Sequence, residues 1–272
     1  MTSAELTLRL KAQAALLGFD RVGIAPALSP PGHGHFLAWL QAGHAAGMEY
    51  MRRHAQARSH PEHVLTGVRS VVMASVVYRS AREGSSTPRP GSGKVARYAR
   101  GLDYHGVLKD KLGALLDWLR TVRPQTRGRA VTDTAPLLER DFARLAGLGW
   151  IGKNTMLIDP KLGSFTFLGA ILVDCELTPD IPFQANHCGT CTRCLDACPT
   201  RAFVGPTSSM RAAASATGRS STRGPSPRQL PNRWMAGFSA AIFAKTFVRG
   251  IVRRRPATLP SSRIVPRGLS LT

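Results

Sequence analysis

Five cysteines occur in the chain, and four of them fall within eleven residues as Cys188-x-x-Cys191-x-x-Cys194-x-x-x-Cys198-Pro199. In a C-x2-C-x2-C-x3-C-P run, three thiolates wrap one iron–sulfur cubane. The fourth, turned outward before the proline, ligates the other cluster of a two-cluster module. Zinc is the alternative, but structural zinc sites use two separated C-x2–4-C pairs. The spacing predicts a redox protein with [4Fe-4S] clusters, whose metal ligands include Cys188, Cys191, Cys194 and Cys198. Each cubane takes four thiolates, and the fifth cysteine, Cys175, ends an apolar run and reads as a buried small hydrophobe. One ligand of the first cluster and three of the second are therefore missing from the chain as written. Clustered cysteines of this kind also argue against a secreted disulfide framework and for a reducing cytoplasm.

Charge sharpens the organisation. The net charge is +21, but twelve of the 37 Lys+Arg lie in residues 207–272, which contain no Asp or Glu. The first 206 residues thus carry 25 basic against 16 acidic groups, a moderate excess suited to an RNA-binding enzyme. No run of eighteen apolar residues is present, so no membrane span is expected. Glu5, Arg9 and Lys11 interrupt the first leucines, as a signal peptide would not allow.

The elements that position these residues follow from periodicity. Leu6, Leu10, Ala14 and Leu17 share one face of a helix over 5–18, stopped by Gly18. Arg21–Ala25, Ser70–Tyr78, Arg129–Thr132 and Thr166–Asp174 are apolar, β-branched runs that read as strands. Phe36–Ala42, the leucines at 108, 112, 115, 116 and 119, and residues 136–146 read as helices, with Pro136 in a first turn. Ser85–Gly93 is a loop. Alternation of strands and helices predicts an α/β (or α+β) domain over 1–180, half of a ferredoxin-like module over 181–206, and a basic low-complexity tail over 207–272. Gly147-x-Gly149-x-x-Gly152 follows a helix instead of a strand, so Gly147 is read as a helix C-cap and not as part of a dinucleotide fingerprint.

The stretch Thr132–Leu157, TDTAPLLERDFARLAGLGWIGKNTML, with CGTCTRCLDACPT at 188–200, resembles the epoxyqueuosine reductases. KVARYARGLDYH (94–105) and GFDRVGIAPA (18–27) look like further segments of that family, so the resemblance covers about 1–206. It implies a cobalamin-binding reductase domain with two [4Fe-4S] clusters. The implied reaction is reduction of epoxyqueuosine to queuosine at the wobble position of tRNA, by a monomer fed by an external electron donor. The reductive dehalogenases share the cofactor pair, but 132–157 is closer to the tRNA enzymes.

On that resemblance Asp133 is the proton donor, a role requiring a raised pKa. Read from its neighbours alone, Thr132-Asp133-Thr134 before Pro136 and Glu139 suits a helix N-cap. Lys153 and Asn154 lie in the corrin-facing Gly152–Asn154 region, where they would hold amide or phosphate groups of cobalamin or simply form a solvated turn. Arg58, Tyr98 and His105 match family segments as cofactor-binding candidates. Lys94, Arg97 and Arg100 around Tyr98 form either a phosphate-contacting patch for RNA or a solvated face.

After Pro206 the resemblance stops. The family continues with a tyrosine, a basic segment, a lone cysteine and later C-x2-C-x3-C-P-W. Joining the third base of each codon to the first two of the next permits Tyr across Pro206/Thr207 and Cys across Ala213/Ala214. The same reading of Phe238 to Gly250 permits F-G-C-D-I-C-Q-D-V-C-P-W, with cysteine codons across Ala240/Ala241, Phe243/Ala244 and Phe247/Val248. These are the four missing ligands, and a frameshift near Pro206 is the expectation. The competing readings are a natural basic RNA-binding tail and, for the whole chain, a ferredoxin-type electron carrier or an inactive product. Sequencing the locus across the Pro206 codon is expected to reveal the alternative frame; a single intact frame with no such continuation would reject it.

Overall fold

The computed structural model describes residues 1–78, 96–205 and 207–209. The expected loop at Ser85–Gly93, Lys94 of the basic patch, Pro206, and the tail from 210 onward lie outside the described residues. In chain order the helices are α1 (Ser3–Leu16), α2 (His33–Gln41), α3 (Glu49–Arg53), α4 (Tyr104–Val122), α5 (Glu139–Leu145) and α6 (Arg193–Asp196). The strands are β1 (Arg21–Pro26), β2 (Ser70–Val77), β3 (Gly128–Val131), β4 (Trp150–Ile151), β5 (Leu157–Ile158), β6 (Thr166–Val173), β7 (Phe203–Gly205) and β8 (Ser208–Ser209).

β1, β2, β6 and β3 form one sheet in the order β1-β2-β6-β3, with every neighbouring pair antiparallel. The mixture of helix and sheet is the expected class, and the antiparallel pairing makes it α+β in detail. β2 is apolar at nearly every position because both of its faces are covered. Val72, Ala74 and Val76 face Leu6, Leu10, Leu108, Leu112 and Leu115 of α1 and α4. Val71 and Met73 face Phe142, Ala143 and Leu148 around α5. Alternation along one strand thus sorts side chains into two cores. Cys175 is buried in the first of them, as its small apolar character suggests.

Local signals explain most boundaries. The Thr2 hydroxyl accepts the Glu5 N–H to cap α1, and Gly18 leaves it at φ +77°. Asp103 caps α4 by accepting the His105 N–H. Gly147, at φ +73°, follows α5 as expected of a C-cap glycine. The expected helix over 136–146 is shorter: α5 starts at Glu139, because Ala135–Leu138 forms a turn with the Leu137 N–H bonded to the Ala135 carbonyl. Pro136 therefore precedes the helix and does not sit in its first turn. Ser208 and Ser209 pair with β7, and the Trp39 indole donates to the Ser209 carbonyl at 2.7 Å. The chain immediately after position 206 is thus held against α2. Among the described residues no helix is long and apolar enough to cross a membrane.

Gly23 in β1 sets the approach of β1 to α5. A Cβ there would lie 2.0 Å from the Ala146 carbonyl oxygen and 2.7 Å from Leu148 Cδ1. Gly113, inside α4, has open space around it. Gly23→Ala is expected to lower the unfolding free energy by about 1–3 kcal/mol or more, whereas Gly113→Ala should raise it by up to ~1 kcal/mol. Denaturant titration checks both, and an unchanged midpoint for Gly23→Ala would contradict this packing.

Candidate active site

The sheet register builds one edge where chemistry is concentrated. Val77 pairs with Thr166 and Val131 with Ala170, so β2 and β3 end on the side where β6 begins. Aromatic rings stack along that edge. Tyr104, the first residue of α4, stacks on Phe167 with centroids 4.2 Å apart and 5° between planes, and on His105 at 4.0 Å. Phe167 meets Tyr78 at 4.4 Å, Tyr78 meets Phe165 edge-on at 5.8 Å, and the Arg97 guanidinium lies 5.1 Å over Phe165. Burial, with Tyr98 and Asp133 nearby, drives the Tyr78 and Tyr104 phenols above their usual range.

Asp133 stands at the rim of this stack, two residues past β3. Its carboxylate accepts from the Tyr104 hydroxyl and from His105 Nε2, the latter at 3.0 Å. The other ring nitrogen of His105 is 2.6 Å from Asp103 Oδ1, giving an unbroken Asp103–His105–Asp133 chain. Asp133 is 47% exposed at its side chain, so the acid is open to a ligand. It caps no helix; the capping alternative is not what the fold shows. Its main chain sits at φ +35°, and Thr134 N–H donates back to the Thr132 carbonyl across it. Left-handed backbone on a non-glycine residue costs about 1–3 kcal/mol and persists only where neighbours over-determine it. The Asp133 N–H donates to Glu139 Oε1 at 2.6 Å.

Electrostatics polarise this group. Burial pushes the Glu139 carboxyl up to about 7, against the hydrogen bond from Asp133 N–H that favours its charge. Burial opposes the His105 imidazolium, but the Asp103 hydrogen bond and the charges of Asp133 and Asp103 outweigh it, raising the pKa. Reciprocally, hydrogen bonds from His105 hold the Asp103 carboxyl below its usual range.

Of the cofactor-contact candidates, Asp133, His105 and Tyr98 come together at this edge. Arg58 does not join them: its guanidinium donates to the His54 carbonyl at 3.0 Å and lies 5.6 Å over the Phe36 ring, buried in its own region. Asn154 is buried in the β4–β5 connection, where Oδ1 accepts the Met156 N–H. Lys153 Nζ donates to the Gly189 carbonyl at 2.7 Å and so ties that connection to the cysteine loop. Sequence reasoning missed Tyr104 and Asp103 as site residues, although both stand in the LDYH segment beside His105. Glu139 it read only as a capping companion.

The cysteines divide three and one. The charges of Cys188 and Cys191 act on Cys194, which burial also raises, whereas Cys198 packs separately with Ala202 and Phe203. The Trp150 indole donates to Cys188 Sγ at 3.4 Å, and the Ala202 N–H donates to Cys198 Sγ at 3.3 Å. Soft thiol donors met by N–H groups fit an iron–sulfur cluster. Among the described residues no three His, Cys, Asp or Glu side chains converge as the ligands of a single ion would, and a cubane needs its thiolates spread around a larger body.

Glu139, raised from 4.5 to about 7, and His105, raised above 6.5, both bind protons longer when folded. Their contributions to stability are full below those ordinary values and are lost as pH rises through the folded ones. Relative to wild type, Glu139→Gln is expected to flatten the decline of stability between pH 4.5 and about 7, and His105→Gln the decline above 6.5. Denaturant midpoints across pH measure this, and a wild-type advantage that grew with pH would contradict it.

Comparison with known proteins matches these features. Residues 58–134 match the family described as Epoxyqueuosine reductase QueG, DUF1730, and residues 187–237 match a 4Fe-4S double cluster binding domain. The chain is 44% identical over 200 residues to the epoxyqueuosine reductase of Gloeobacter violaceus, covering 73% of this chain and 61% of that protein. It is 38% identical over 205 residues to the Pseudomonas aeruginosa enzyme, covering 75% and 57%. The chain thus spans about three-fifths of the length of these relatives. A crystal structure of selenomethionine-labelled epoxyqueuosine reductase aligns with TM-score 0.82 at 26% identity, over 93% of this chain and 67% of that one. An epoxyqueuosine reductase solved with an epoxyqueuosine-modified tRNA-Tyr stem loop aligns with TM-score 0.80 at 26% identity, over 94% and 68%. Over the matched residues, the chain is similar to the epoxyqueuosine reductases in sequence and in fold.

Proposed function

We propose that residues 1–180 form a cobalamin-binding reductase domain and 181–206 the first half of a two-cluster module. Together they are built to reduce epoxyqueuosine to queuosine at the wobble position of tRNA, in the cytoplasm and as a monomer. The carrying observation is the Asp133 carboxylate, presented at an exposed edge and wired through His105 to Asp103. Conversion of an epoxide to an alkene consumes two electrons and two protons and releases the oxygen as water, so the site needs an acid that can be reloaded. Asp133 supplies the proton to the departing oxygen, and His105, charged more readily than an ordinary histidine, returns one to it. Tyr104 orients the carboxylate from its other side.

The aromatic stack of Tyr104, Phe167 and Tyr78 lies beside this acid and gives it an apolar wall against which a macrocycle would rest. Cobalamin bound there would supply an electron-rich metal to act on the epoxide carbon, with Asp133, His105 and Tyr98 the residues at hand to contact it. Lys153 and Asn154, expected beside the corrin, would act from the connection that reaches the cysteine loop. Cys188, Cys191, Cys194 and Cys198 would hold [4Fe-4S] clusters and receive electrons from an external donor. The relative solved with a modified tRNA stem loop supports tRNA as the substrate partner, and Arg97, over the Phe165 ring at the same edge, would offer phosphate contact.

A ferredoxin-type carrier is the competing reading, and it requires clusters without corrin. Anaerobic reconstitution of this chain and of its frame-restored version, with iron and cobalamin quantified, separates the two. The restored chain is expected to bind more iron, to bind cobalamin and to reduce epoxyqueuosine in tRNA. Asp133→Asn should cut that turnover by roughly 10²–10⁴-fold, the range for loss of a general acid, at unchanged iron content. Clusters without cobalamin would establish the carrier instead.

A further inference from the structure

The left-handed main chain at Asp133 needs an explanation that its own side chain cannot give. Asp133 sits at φ +35°, in the small region that L-residues enter with difficulty. Its side-chain bonds to Tyr104 and His105 would be compatible with many backbone conformations, because a carboxylate turns freely about its bonds. The main-chain N–H is another matter. It points at Glu139 Oε1, 2.6 Å away, and Glu139 is the first residue of α5. The helix itself is fixed by Phe142 and Ala143, both fully buried against β2 and β6. The next residue, Arg140, donates from Nη1 to the Thr155 carbonyl in the β4–β5 connection. Glu139 is therefore anchored on both sides, and Asp133 is the group it restrains.

We propose that Glu139 is the positioning residue of this site: its carboxyl oxygen fixes the Asp133 main chain in the conformation that delivers the Asp133 side chain to Tyr104 and His105. An acceptor oxygen is what the role demands, so glutamine serves and alanine does not. The arrangement rests on the proposed function only for its purpose; the restraint itself is a property of the chain without cofactors.

The test uses the full chain, unloaded, and two nuclear magnetic resonance readouts: the His105 imidazole titration and hydrogen exchange at the Asp133 amide. Glu139 charge also reaches His105 through space, so the informative comparison is Glu139→Gln against Glu139→Ala, which differ in the acceptor and not in charge. Glu139→Ala is expected to speed Asp133 amide exchange roughly ten-fold over Glu139→Gln, the loss of one hydrogen bond. It should also lower the His105 midpoint below that of Glu139→Gln, because Asp133 no longer faces the ring. In an Asp133→Asn background the two Glu139 variants should give the same His105 midpoint. If alanine prevents folding, Glu139→Met fills the volume without an acceptor and takes its place. Equal exchange and equal midpoints for the Gln and Ala (or Met) chains would overturn the proposal. Failure of epoxide reduction would leave these readouts untouched, so the two ideas fall separately.

Discussion

The pairing of β3 with β6 is the constraint on which the site depends. Val131 opposite Ala170 places Phe167 at the mouth of the sheet and brings Asp133 out beside it. A slip of one residue would turn each β3 side chain to the other face, burying Arg129 and taking Val131 out of its core with Phe142 and Leu172. The register is thus enforced by burial, and the acid inherits its location from it. Tyr104 closes the arrangement from the opposite direction, since α4 lies on the first core and its leading ring rests on Phe167.

The same economy links the acid to the cysteines. α5 starts with Glu139 bonded to the Asp133 main chain and Arg140 bonded to the Thr155 carbonyl. That carbonyl belongs to the connection whose Lys153 grips Gly189 and whose preceding strand carries Trp150, bonded to Cys188. Short contacts therefore run from the acid through one helix and one hairpin to the cysteine loop. Spatial continuity of this kind is a mechanical scaffold; it is not by itself a demonstration of energetic coupling. On the proposed function its physical sense would be that electron-delivering and proton-delivering groups need a fixed separation, which a packed helix keeps better than a loop.

How much was legible in the sequence depended on whether the signal was local. The strands at 21, 70, 129 and 166 announced themselves through apolar β-branched runs, and α1 and α4 through leucine spacing, because burial on a two-sided sheet leaves a one-dimensional trace. Strand order did not: alternating strands and helices are compatible with parallel or antiparallel sheets, and only the register decided. The start of α5 was misplaced because Pro136 is an ordinary first-turn residue, whereas here the turn at 135–138 intervenes. Asp133 was singled out through resemblance; Tyr104 and Asp103 were not, because Tyr104 meets Asp133 across 29 residues of chain and Asp103 reaches it only through His105. Arg58 was singled out in the same way, and in the fold its guanidinium meets Phe36 and the His54 carbonyl.

The division of the cysteines also bears on what the first half of the module can do alone. Cys198 is buried with Ala202 and Phe203 and accepts the Ala202 N–H. A protonated thiol is a tolerable occupant of such a place, behaving as a small hydrophobe, whereas an unligated thiolate would be costly there. Cys191 and Cys194 differ: burial, and after it the charges of Cys188 and Cys191, raises the Cys194 thiol, whereas hydrogen bonds from Arg193 lower Cys191. Bringing three thiolates together is favourable only when a cation shares them, and a fourth ligand completes the shell. On the expected frameshift after Pro206, the lobe would keep the packing of Cys198 with Ala202 and Phe203 while the cluster lost its remaining ligands, so that fold and cofactor would be separable at this point in the molecule.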